Sequence, residues 1–228
     1  EMATLNDLGR SLASRLDLDQ VLNEVYRGFS RLVDTRNFYI ALYDPEKKEN
    51  VFRLNVTESI IDKEIARLPA DQGITGYIIR THEPVLIRDG VAGWLLDHKM
   101  ESVGELADSW LGVPLLIGNT ILGVMAVQAY HEQNAYNEHD QQMLTAIANQ
   151  ASIAIQNARL FEETAKRASQ LGAVSEISTA ISTIHDPEKI LWTTVELIQR
   201  SFNLYHCHVF ILQPDKKTLS VEACGWQE

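Results

Sequence analysis

The segment 5–48 returns, without a gap, 169 positions later. Leu5 pairs with Val174, Leu8 with Ile177, Leu12 with Ile181, Asp17 with Asp186 and Leu22 with Leu191. The register holds through Arg31 with Arg200, Pro45 with Pro214, and Lys47-Lys48 with Lys216-Lys217. Apolar residues fall on apolar residues, as two copies of one folded unit require. The second copy reaches Glu228 before anything matching 60–165 can follow. The expected organisation is one complete domain over 1–165, then a linker helix and the first part of a second, truncated domain over 166–228. The chain reads as a slice of a longer tandem array.

Composition removes several classes. With 45% hydrophobic residues the chain can bury a core, and wholesale disorder is excluded. The longest apolar stretches, 111–117 and 121–129, are broken by Gly and Pro. They fall well short of the ~20 residues that a membrane helix needs. A net charge of −11 argues against a nucleic-acid surface, which needs clustered Lys and Arg. Both cysteines, Cys207 and Cys224, lie in the second copy. The first domain therefore has no disulfide framework, which fits a reducing, cytoplasmic setting.

Local patterns predict the elements. A first helix, 2–16, places Leu5, Leu8, Leu12 and Leu16 at helical spacing, and Asp17 ends it. Asp19 is read as the cap of a second helix over about 19–33. The aromatic and β-branched run 38–43 is a strand stopped by Asp44-Pro45, and 51–56 returns as its antiparallel partner. Residues 60–68 are read as a short helix closed by Pro69, and 73–80 as a loop entering a helix. A short strand, 84–87, follows, and 89–109 has no clear period. Gly118-Asn119-Thr120 separates two strand-like runs and predicts a hairpin.

From about Glu138 the pattern is a long helix, with no Pro before Pro187. Leu144, Ala151 and Ala158 recur every seven residues, as do Ile147, Ala154 and Phe161. A 3.5-residue period marks a helix–helix seam. These six residues are the expected dimer and relay helix of a homodimer, although its first half also suits packing within its own domain. Gly172 is the one point where the helix could break.

Three stretches carry a family resemblance. They are 73–80 with Pro84-Val85-Leu86-Ile87-Arg88-Asp89, the hairpin Trp110–Val127 with its Gly-Val-Pro-Leu and Gly-Val-Met-Ala-Val elements, and the helix Asp140–Glu163. Together they resemble the GAF domain family of small-molecule sensors, over about 5–163. The resemblance implies an α+β fold. A GAF/PAS-like central antiparallel sheet of five or six strands would be flanked by helices, with a long C-terminal helix leading into the truncated second copy. It also implies a ligand cavity on the face away from the dimer helices. The output domain, a histidine kinase or similar, would lie downstream in the same polypeptide.

Each chemistry hosted by such domains requires particular residues. A covalent bilin needs a thiol, and so does methionine-sulfoxide reduction, and 1–165 contains none. Haem or metal needs an inward His or carboxylate. His82, His131 and His139 sit in exposed contexts, and His98 reads as a partly exposed structural residue. His206-Cys207-His208 suggests a metal, but strand alternation turns Cys207 away from the two histidines. The chain reads as non-catalytic, with no cofactor and no metal site.

A noncovalent pocket remains. Tyr39, Ala41 and Tyr43 share one face of the first strand and suit a cavity floor; Ile40 and Leu42 share the other and suit the long helix. Tyr77, Trp94, His98 and Trp110 would form a wall, with Met125 and Val127 joining from the last strand. The alternative is that these aromatics fill the space themselves. The function read from sequence is a sensory module of a bacterial signal-transduction protein that binds a small molecule and relays the signal through a dimeric helix. Its rival is a ligand-free dimerisation spacer.

Overall fold

A computed structural model describes residues 17–182, 184, 186–214 and 216–226. The helix expected over 2–16 lies outside the described residues. The chain's contacts divide it into two compact units, Glu1–Phe161 and Glu162–Glu228.

The first unit begins with α1 (Leu18–Phe29). Asp17, not Asp19, is its cap: the Asp17 carboxylate accepts from the Gln20 N–H at 2.8 Å. Asp19 instead lies in the first turn and pairs with Arg53 at 2.6 Å. Two antiparallel strands follow, β1 (Phe38–Asp44) and β2 (Glu49–Thr57). The 60–68 segment is not a helix. It forms β3 (Ile60–Ile61) and β4 (Ala66–Pro69), both paired to β2. The physical reason is a reversal at Glu58 and Ser59, both at positive φ, which sends the chain straight back along β2. Ile60, Ile61 and Ile65 stay exposed there, so no apolar helical face existed to bury.

Next come α2 (Gly73–Thr81), β5 (Val85–Ile87) and α3 (Val91–Asp97). The expected hairpin is present as β6 (Ser109–Ile117) and β7 (Thr120–Ala129). The sheet runs β3-β2-β1-β7-β6-β5, all antiparallel, with β4 also on β2. Its seven strands exceed the five or six expected because β3 and β4 are additional short strands.

The sheet separates two apolar layers. On one face Phe38, Ile40 and Leu42 of β1 pack with Leu22, Val25 and Phe29 of α1 and with the long helix α4 (Glu138–Ser182). On the other, Tyr39 and Ala41 pack beneath α2 and α3. Each large side chain buried in the helix layer contributes about 2 kcal/mol.

Helix α4 has 45 residues, runs through Gly172 and spans roughly 68 Å. Leu144, Ile147, Ala151, Ala154 and Ala158 are buried against this chain's own sheet. They are therefore not an intermolecular seam, and only Phe161 of the expected six is exposed. A seven-residue recurrence cannot separate the two uses, since a straight helix drifts only ~20° per heptad from a 3.5 period.

In the second unit, α5 (Pro187–Phe202) repeats the start of α1. Asp186 accepts from the Glu188 N–H at 3.1 Å, as Asp17 does from Gln20. Strands β8 (His206–Leu212) and β9 (Leu219–Trp226) form an antiparallel pair. Its register shift falls between Val209 and Phe210, the repeat counterpart of the Ile40/Ala41 shift between β1 and β2.

Because Ala151 is fully buried where α4 lies on the sheet, Ala151→Leu should overpack the layer and destabilise the fold by about 1–3 kcal/mol. Urea unfolding monitored by circular dichroism reads the effect.

Candidate functional site

The face of the sheet away from α4 holds a cavity of about 230 Å³. Its floor is built by alternation. Tyr39 from β1, Asn50, Phe52 and Asn55 from β2, Trp110 from β6 and Gln128 from β7 all point to this side. The bulge at Ile40/Ala41 shifts the phase of β2 by one residue, so that both Asn50 and Asn55 reach the same face. The rim comes from the start of α2 (Gln72 to Thr75), from Val91 and Leu95 of α3, and from the loop 102–107.

Glycine makes two of these placements possible. A Cβ on Gly112 would sit 2.3 Å from the ring of Trp110, so the glycine lets the indole lie along β6. Gly73 opens α2 at φ +61°, a conformation that favours a residue without Cβ.

The polar groups converge in a mostly apolar shell. The Tyr39 hydroxyl bonds the Thr75 hydroxyl at 2.8 Å, both groups being buried. Asn50 is 1% exposed; its amide donates to the Ala70 carbonyl at 3.4 Å, while its Oδ1 is buried without a partner. A buried acceptor left unsatisfied costs about 1–3 kcal/mol. Helix α2 starts at the rim with no side-chain cap, so its first N–H groups are turned toward this end. The site thus places Asn50 in its wall and the first N–H groups of α2 at its rim. At about 230 Å³ the cavity is smaller than the roughly 300–1,000 Å³ of sites for drug-sized ligands, so it has room for a small molecule only.

Of the residues expected from sequence, Tyr39 and Trp110 line the cavity. Ala41 is buried beneath it and Tyr43 packs at the edge of the same layer. Tyr77, Trp94 and His98 do not line it. They pack on one another instead, with Trp94 and His98 stacked at 3.8 Å, Tyr77 edge-on to both, and the His98 Nδ1 2.8 Å from the Trp94 carbonyl. Helical spacing aligns Trp94 and His98 on the outer side of α3, which explains the displacement. Met125 and Val127 lie on the opposite face, in the α4 layer. Their register decides this: Met125 pairs with Ile40 and Val127 with Phe38, and cross-strand partners share a face. Val124 and Ala126 take the cavity side.

Sequence reasoning missed Asn50, Phe52, Thr75 and the 102–107 loop. A polar Asn50 beside Val51 in a buried strand was the available signal.

Burial pushes the Tyr39 phenol well above its ordinary pKa, against the opposing pull of its Thr75 hydrogen bond. The folded-state pKa is raised, so this stability is present below the unfolded pKa near 10 and is lost as pH rises above it. Tyr39→Phe should cost about 1 kcal/mol at neutral pH by stranding the Thr75 hydroxyl, and should make the alkaline loss shallower. Urea midpoints on either side of the phenol range check both.

A GAF domain family model matches residues 15–156. A Nif-specific regulatory protein of Herbaspirillum seropedicae is 27% identical over 177 residues, covering 75% of this chain and 32% of the relative. The chain thus spans about a third of that relative's length. Among solved structures, the GAF domain of an Acinetobacter phosphoenolpyruvate-protein phosphotransferase is similar at TM-score 0.54 and 21% identity, covering 70% of this chain and 94% of that one. A free methionine-R-sulfoxide reductase of Neisseria meningitidis in complex with its substrate is similar at TM-score 0.51 and 18% identity, covering 69% and 89%. With a matched stretch that takes in both sheet layers and the cavity, this chain belongs to the GAF domain family.

Proposed function

We propose that the first unit is the sensory module of a cytoplasmic signalling protein, binding a small molecule noncovalently above Tyr39 and Trp110. The observation that carries this reading is the partnerless Oδ1 of Asn50 at the wall of the cavity. A ligand that donates to Asn50 and accepts from the start of α2 would satisfy groups otherwise left bare. The sulfoxide-reductase neighbour shares only the fold. With no cysteine before Cys207, this unit has no thiol for redox chemistry, and we infer that it does not catalyse.

The signal would leave through α4. Its buried face belongs to the sheet, so the outer face carries the relay, where Ile153 is 51% and Leu160 50% exposed. Seven residues apart, they form a stripe suited to the same stripe on a second copy. We propose a homodimer built there. The output domain would lie in the same polypeptide, either of the regulatory kind named among the relatives or a histidine kinase. Neither nucleic acid nor membrane is a proposed partner of this segment. Among the described residues no helix is long and apolar enough to cross a membrane.

Native mass spectrometry of protein purified from cells tests the ligand. The expected result is a reproducible added mass per chain that disappears in a folded Asn50→Leu variant. A bare chain in every preparation would instead support a ligand-free spacer. For the dimer, Ile153→Asp with Leu160→Asp should give monomers in sedimentation, and a wild-type protein already monomeric would sink the interface.

A further inference from the structure

The second unit carries different chemistry at the counterparts of two cavity-floor positions. In the first unit Tyr39 pairs with Asn55 across β1 and β2, and both line the cavity. At the same repeat spacing, His208 pairs with Cys224 across β8 and β9, with the register shift in the corresponding place. His206, two residues before His208, shares its face. The other face of this hairpin is committed to α5: Ala223 is buried, and a Cβ on Gly225 would sit 2.8 Å from Val195. Cys207 pairs with Gly225 and goes with that face. His206, His208 and Cys224 are thereby left together on the side away from α5.

Their geometry suits an ion. The His206 Nε2 lies 3.3 Å from the Cys224 Sγ. The two imidazole rings meet edge-on at 3.7 Å between centroids. One ligating atom from each of the three residues lies within 4.8 Å of the others. A tetrahedral zinc-type centre, with metal–N near 2.0–2.1 Å and metal–S near 2.3 Å, has N···S edges of about 3.5 Å. The existing His206–Cys224 separation is close to that edge. His206 and Cys224 are half-buried and His208 is exposed.

We propose that His206, His208 and Cys224 bind a borderline-soft transition-metal ion of the zinc class through two imidazole nitrogens and one thiolate, with a fourth position open. Binding releases the Cys224 thiol proton to solvent and forms one metal–sulfur and two metal–nitrogen bonds. Imidazole and thiolate together select Zn²⁺, Co²⁺ or Cu ions over Mg²⁺ or Ca²⁺, which prefer oxygen.

Titration of the reduced, purified protein with Co²⁺, followed by back-titration with Zn²⁺, tests the site. One Co²⁺ per chain should bind with a thiolate-to-cobalt charge-transfer band in the near ultraviolet, and Zn²⁺ should bleach it. Cys224→Ala should abolish the band while Cys207→Ser retains it. His208→Ala should weaken binding by more than about tenfold, the loss that even a second-sphere change produces. Wild-type protein that gives no thiolate band would overturn the proposal without reference to any variant. So would a band that survives Cys224→Ala or is lost in Cys207→Ser. Circular dichroism of each variant shows whether a lost band reflects a lost ligand or a lost hairpin.

Discussion

The pleat of β1 is the constraint on which the first unit depends. Successive side chains on a strand must point to opposite faces, and β1 lies inside the sheet between β2 and β7 with an apolar layer on each face. Phe38, Ile40 and Leu42 have to serve the helix layer, and Tyr39 and Ala41 the cavity layer. Every neighbouring strand is then sorted by its register to β1. A residue opposite Ile40 belongs to α4, and a residue opposite Tyr39 belongs to the cavity side, whatever its own chemistry.

That dependence explains which parts could be read from the chain alone. The faces of β1 were readable because alternation is local and the two sets differ in kind, aliphatic against aromatic and small. The hairpin of β6 and β7 was readable from its turn. The side taken by Met125 and Val127 was not, because on a continuously apolar strand the sequence does not show which parity faces which layer; only the pairing with Ile40 and Phe38 does. Asn50 and Asn55 needed more still. They reach one face together only because a register shift lies between them, and no local pattern announces it. The rim residues of 102–107 belong to an irregular loop, where neither periodicity nor turn chemistry points inward.

Helix α4 shows how one pattern can serve two structures. Ala151, Ala154 and Ala158 are small because the helix lies close on its own sheet, and a side chain buried there is not free to face a second copy. The cavity and the helix occupy opposite faces of the same sheet. A change at the floor can reach α4 through the strands between them, where Tyr39 and Ile40 are adjacent residues facing opposite ways. The sheet is thus the physical link for the proposed relay, and the outer stripe of α4 is where it would emerge.

Both copies preserve what the fold requires: an aspartate cap, an amphipathic helix, and a strand pair with its register shift in the same place. In the second unit, Ala223 and Gly225 meet α5, and that helix-facing side has little freedom to change. The opposite side corresponds to the cavity side of the first unit. There Tyr39 and Asn55 give way to His208 and Cys224, so two hydrogen-bonding groups are replaced by the two proposed metal ligands at the same register position. The helix-facing side holds the strand pair in both copies, and the proposed small molecule of the first unit and the proposed ion of the second would both use the side opposite it.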